Sequence, residues 1–151
     1  MQNKLSERGF TLVELIAVIA ILGIVAALAI PKIGDSMAQS ELDSAARGLA
    51  ADLRLLQQMS VNSAGGTLPT LIFGNVPPYS YVIAVNSQTV KRVYFPASVV
   101  LKVPAPAQVQ FNYNGWPVNG SNYTVTLSST RSGITSRQVI IEAKTGRVRI
   151  Q

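Results

Sequence analysis

One carboxylate, Glu14, stands inside an apolar run that starts at Phe10 and ends at Ile30. An ionised side chain at the centre of a bilayer costs roughly 2.5–3.5 kcal/mol on the most lenient insertion scale, so some interaction must offset it. Two uses of a carboxylate fit its position. With Thr11 it forms a TxxE capping box, in which the threonine caps the helix and the glutamate reaches back to a free backbone N–H. It can also serve as counter-charge to a cation, and the two roles are compatible. Before the run lies a short polar leader containing Lys4 and Arg8 and closed by Gly9; Pro31 closes the run itself. A secretory signal also starts basic and turns apolar, but its small-residue cleavage site follows the apolar stretch. Here the small residue precedes it.

Little else in the chain can do covalent chemistry. It contains no histidine and no cysteine, which excludes imidazole bases, thiolate nucleophiles and nearly all zinc sites. Beyond residue 60 the only acid is Glu142, so there is no carboxylate pair for general acid–base work. Gly65 and Gly66 are not followed by a GK pair and make no phosphate loop. The hydroxyls between Ser128 and Ser136 have no base near them in sequence. Neither catalysis nor a cofactor or metal is expected.

Charge is more informative. Residues 61–151 hold eight cations against one carboxylate, a net +7, whereas Lys32 to Ser60 is nearly balanced. A localised basic surface is the footprint of a polyanion partner. Arg147 and Arg149 lie two apart on an expected strand, so both should point to one face while Val148 and Ile150 point to the core. Arg131 and Arg137, in a Ser/Thr-rich loop, and Lys144 could add donors to phosphate oxygens. Three readings stay open: a solvated strand face, contact with DNA, and an acidic protein partner. Trp116, between two Asn-Gly pairs, is either a stacking platform or interface anchor or, the more usual case, folds back over the core.

The elements that must position these groups follow from periodicity. Phe10 to Ile30 is about long enough to cross a hydrocarbon core of ~30 Å, and it accounts for the positive mean hydropathy of +0.28. Past Pro31, the residues Leu42, Ala45, Leu49, Leu53 and Leu56 recur every three or four positions among polar ones, the mark of a helix with one buried stripe. Proline should kink or loosen this helix rather than end it, giving a rod of roughly 75 Å to about Ser60. Eight strand candidates follow: 70–73, 79–85, 89–95, 99–103, 109–113, 123–127, 139–143 and 147–150. They are separated by prolines 77, 78, 96, 104, 106 and 117, and predict an antiparallel meander packed on the helix, an α+β head. The divisions are a leader, 1–9; an apolar transmembrane or filament-core helix, 10–31; an amphipathic helix, 32–64; and one small β-rich head, 65–151.

The junction GFTLVELIAVIAILGIVAALAIP resembles the class III leader of type IV pilins and type II secretion pseudopilins. The resemblance implies that a prepilin peptidase cuts between Gly9 and Phe10 and N-methylates Phe10. It also implies that Glu14, fifth residue of the mature chain, faces the cationic N-terminus of a neighbouring subunit. The head is similar to the GspH/FimT group of minor pilins and pseudopilins in a proline-preceded segment after Phe95, VQFNYNG with Phe111 and Gly115, YTVTL from Tyr123, and the closing VIIEAKTGRVRI. Gly146 to Arg149 matches a GRxR pattern associated in some FimT-type pilins with incoming DNA. The resemblance implies a low-abundance subunit of a type IV pilus, single-pass in the bacterial inner membrane with its head on the periplasmic or extracytoplasmic side. Its partners would be other pilin or pseudopilin subunits, the prepilin peptidase, the inner-membrane assembly platform, membrane lipid and, during natural transformation, DNA. The alternative is a GspH-like pseudopilin of a type II protein secretion system. The cysteine-free head lacks the C-terminal disulfide loop common in major pilins.

Overall fold

A computed structural model describes residues 10–63 and 65–151, without the side chains of residues 28–32. The leader and its cleavage position, Gly9 included, lie outside the described residues. One helix, α1 (Leu12–Asn62), is followed by eight strands: β1 (Thr70–Gly74), β2 (Ser80–Val85), β3 (Gln88–Tyr94), β4 (Val99–Lys102), β5 (Gln108–Gln110), β6 (Tyr123–Ser129), β7 (Arg137–Ile141) and β8 (Val148–Ile150). The chain forms two compact units that divide after Ser36. In the first, the described side chains of the helix from Leu12 to Ala27 are all exposed and, Glu14 apart, uncharged. Among the described residues, no helix is long and apolar enough to cross a membrane. Pro31 does not end the helix.

The second unit, from Met37 onward, holds the rest of α1 and all eight strands. Leu42, Ala46, Leu49, Leu53 and Leu56 are fully buried, a stripe spaced four, three, four and three that turns one helix face to the sheets. All eight expected strands form. They do not make one meander, however. They split into two four-stranded sheets, ordered β3-β2-β1-β5 and β4-β6-β7-β8. Pro96 after β3, and Pro104 and Pro106 after β4, explain the difference, because proline cannot donate to a ladder and the chain leaves the sheet at each of them. Thus β4 pairs with β6, and β5 returns to pair with β1. Asn86 and Ser87 join β2 to β3 with φ of 51° and 64°, both positive as a two-residue I′ hairpin requires.

Alternation along the strands sends Leu71 and Phe73, Tyr81 and Ile83, Val125 and Leu127, and Val139 and Ile141 into one core with the helix stripe. Phe73 of the first sheet stacks on Tyr123 of the second at a ring separation of 6.3 Å and 11°, so the two sheets share that core. Three acidic residues of α1, Asp52, Asp43 and Glu41, tie the helix to the β-rich part of this unit. Asp52, 7% exposed, accepts from the Tyr81 hydroxyl and the Lys91 ammonium, each at 2.7 Å. Asp43 accepts from Arg137 Nε at 2.6 Å, and Glu41 accepts from the Ser98 hydroxyl. Among the described residues, every buried side-chain nitrogen and oxygen has a partner, as buried polar groups require.

Candidate functional site

The first site residue sits at the start of α1. The Thr11 N–H and hydroxyl donate to Glu14 Oε2 at 2.9 and 3.0 Å, and the Glu14 N–H donates to Thr11 Oγ1 at 3.2 Å. This reciprocal capping box satisfies otherwise orphaned donors of the first turn. Phe10 and the apolar residues that follow are exposed around it.

The second candidate lies at the end of the chain. From β7 the backbone turns through residues 143–146, with the Gly146 N–H donating to Glu142 O at 2.8 Å and the Glu142 N–H to Arg147 O at 3.0 Å. Gly146 has φ 64°, and a Cβ there would collide with the carbonyl of Gly115. Gln57 of α1 explains that close approach: its Nε2 donates to Gly115 O at 2.6 Å and to Gly146 O at 3.2 Å. One helix side chain therefore binds two loops that are remote in sequence and sets where the strand after Gly146 begins. Arg147 is exposed, Val148 is buried, and Arg149 is exposed. Ile150, expected to point to the core with Val148, is instead exposed, at 36%, at the end of this short strand. Arg149 Nε lies 3.3 Å from Glu142 Oε1.

The remaining sequence candidates divide. Lys144 is exposed at the tip of the β7–β8 turn, and Arg131 is exposed after β6. Arg137 opens β7 and turns its guanidinium to Asp43 on the helix. This bond holds the Asp43 carboxyl below its ordinary value. Burial pushes the Tyr123 phenol up to about 12, while its hydroxyl donates to Pro106 O at 2.8 Å. Burial, reinforced by the bond to Asp52, also raises Tyr81. Trp116 does not fold over the core; it is 48% exposed. Asn112 Oδ1 accepts from the N–H groups of Asn114 and Trp116 at 3.0 and 2.9 Å. That tight loop turns Gly115 toward the helix and leaves the indole outside.

Arg54 was not a sequence candidate. On α1, its Nη2 donates to Val148 O at 3.0 Å, and it borders a groove of about 590 Å³ with Gln57, Arg147, Val148, Arg149 and Ile150. It falls among the polar positions of the amphipathic helix, and nothing in the sequence places it beside residues more than ninety positions away.

Residues 4–30 match the prokaryotic N-terminal methylation motif. No curated protein matches the chain. The crystal structure of the type IV minor pilin FimU of Pseudomonas aeruginosa PAO1 is similar, with a TM-score of 0.61 and 19% identity, over 74% of this chain and 89% of that one. A second crystal form of the same minor pilin gives 0.58 and 18%, over 73% and 92%. At this identity the likeness establishes the fold. The chain has the pilin architecture of a long N-terminal helix followed by antiparallel sheets, and at its start it carries the methylation motif.

Proposed function

We propose that this chain is a minor pilin of a type IV pilus. A prepilin peptidase cuts its leader between Gly9 and Phe10 and methylates the new N-terminus. The apolar segment 10–31 then holds the subunit in the bacterial inner membrane with residues 65–151 on the periplasmic or extracytoplasmic side. The assembly platform passes it into a filament beside other pilin subunits. The observation that carries this reading is the methylation motif over residues 4–30 on the same chain as a head with the fold of a minor pilin.

Glu14 has a stated role in that assembly. In the capping box its carboxylate bonds to Thr11 of its own first turn, and a neighbour's methylated amine would give it the counter-charge that an apolar filament core demands. Glu14→Ala should therefore leave membrane insertion intact or improved and lower incorporation into filaments. Sheared pilus fractions from cells that express the whole assembly machinery measure this. Equal incorporation of the variant would reduce Glu14 to a helix cap.

The basic head also supports contact with DNA during natural transformation. Of its eight cations, Lys91 and Arg137 are taken up by helix acids, while Arg147, Arg149 and Lys144 are exposed around the last turn and strand. Contacts of this kind go to phosphates, carry little sequence preference and weaken steeply with salt.

A further inference from the structure

We propose that Arg54 of α1 is a phosphate-binding residue, so that a polynucleotide backbone lies in the groove between the helix and β8 rather than against the strand alone. This rests on the DNA reading above and assigns its contact surface. Three arginines, Arg54, Arg147 and Arg149, border one shallow, open groove of about 590 Å³. The Arg54 group is held in place there, because one of its five donors is spent on Val148 O at 3.0 Å. A guanidinium fixed by one bond presents the remaining fork without further loss of side-chain freedom, which suits phosphate oxygens. Arg47, likewise exposed, is two turns away on the same face, roughly 10 Å along the axis, where its charge acts on the Asp43 carboxylate.

One carboxylate tempers the site. Glu142 is the only acid in residues 61–151, and it takes the Arg149 Nε at 3.3 Å. The groove is otherwise lined by Gln57, Val148 and Ile150, with no aromatic side chain. A protein partner would be anchored by buried aromatic or large apolar groups, whereas a phosphate backbone needs only donors and charge. The geometry therefore favours a polynucleotide over an acidic protein surface.

The test uses the full chain in non-ionic detergent and a fluorescent 30-base-pair DNA duplex of arbitrary sequence, titrated over a salt series. Arg54→Gln should weaken binding about three- to tenfold at low salt and flatten the slope of log affinity on log salt by about one contact. Arg54→Lys, which keeps the charge, should restore most of the slope. Glu142→Gln should tighten binding by freeing Arg149, a gain that no folding defect can imitate. Arg147→Gln with Arg149→Gln is the reference, expected to remove about two contacts. If the reference variant weakens while Arg54→Gln binds as the parent does, the groove assignment fails and the DNA reading stands. Unchanged affinity in Glu142→Gln, or tighter binding of polyglutamate than of DNA, also overturns the assignment. No binding by the parent at low salt overturns both.

Discussion

At the scale of single residues, Asp52 and Asp43 are joints between the helix and the sheets. Asp52 serves β2 and β3 through Tyr81 and Lys91, and Asp43 serves β7 through Arg137. Asp43 yields a pH-dependent prediction. Its folded carboxyl lies below the unfolded value of about 3.9, chiefly because Arg137 hydrogen-bonds the ionised form. The folded head thus takes up that proton later than the unfolded chain as pH falls. The stabilisation is complete above the unfolded value and is lost as pH drops through the depressed folded value. Asp43→Asn should lower stability by up to about 1 kcal/mol at pH 7, a modest figure because both partners are partly exposed. Denaturant midpoints should show this gap closing as pH falls below the unfolded value and through the depressed folded one. A gap that persists there would mean that the contact, not its charge, matters.

At the scale of elements, the β7–β8 hairpin is held from outside by Gln57 and from inside by Val139, Ile141 and Val148. Gly146→Ala meets two obstacles together: a left-handed backbone that favours glycine, and a Cβ driven into the Gly115 carbonyl. It should cost about 1–3 kcal/mol and displace the start of β8. The loss appears in thermal or denaturant unfolding of the variant, and an unchanged midpoint would show that the two loops separate freely. This hairpin was among the clearest elements in the sequence, because alternation from Val139 and a glycine turn are local signals. The helix stripe was legible for the same reason; Ala45 packs partly buried against the core as expected, and Ala46 and Ala50 are buried beside it. The partition into two sheets was not legible, since each strand's period is the same whichever sheet it joins and only tertiary pairing decides. Nor were Arg54, Gln57 and Asp52 as docking residues: their partners lie 29 to 94 residues away, and no local pattern encodes that distance. Trp116 went against expectation because its loop is closed by Asn112 rather than by burial of the indole.

At the scale of the whole molecule, the chain holds an apolar helical segment, exposed from Leu12 to Ala27, and a second unit, from Met37 onward, whose core is shared by the helix stripe and both sheets. A helix without a polar face is unstable in water as a lone surface, so it needs lipid or other helices around it. The head, in contrast, satisfies its buried polar groups internally and keeps a cationic surface. That division of labour suits a subunit that waits in a membrane and is then built into a filament. Assembly as a pilin requires that the leader be removed before the apolar segment and not after it. The most direct measurement is therefore the mass of the N-terminal peptide after co-expression with a prepilin peptidase. The account predicts a chain that begins at methylated Phe10, and an uncut chain when Gly9→Val crowds the peptidase. A mature chain that starts after Ala27 or Ala29 would contradict it, because the apolar segment would then be a discarded secretion signal.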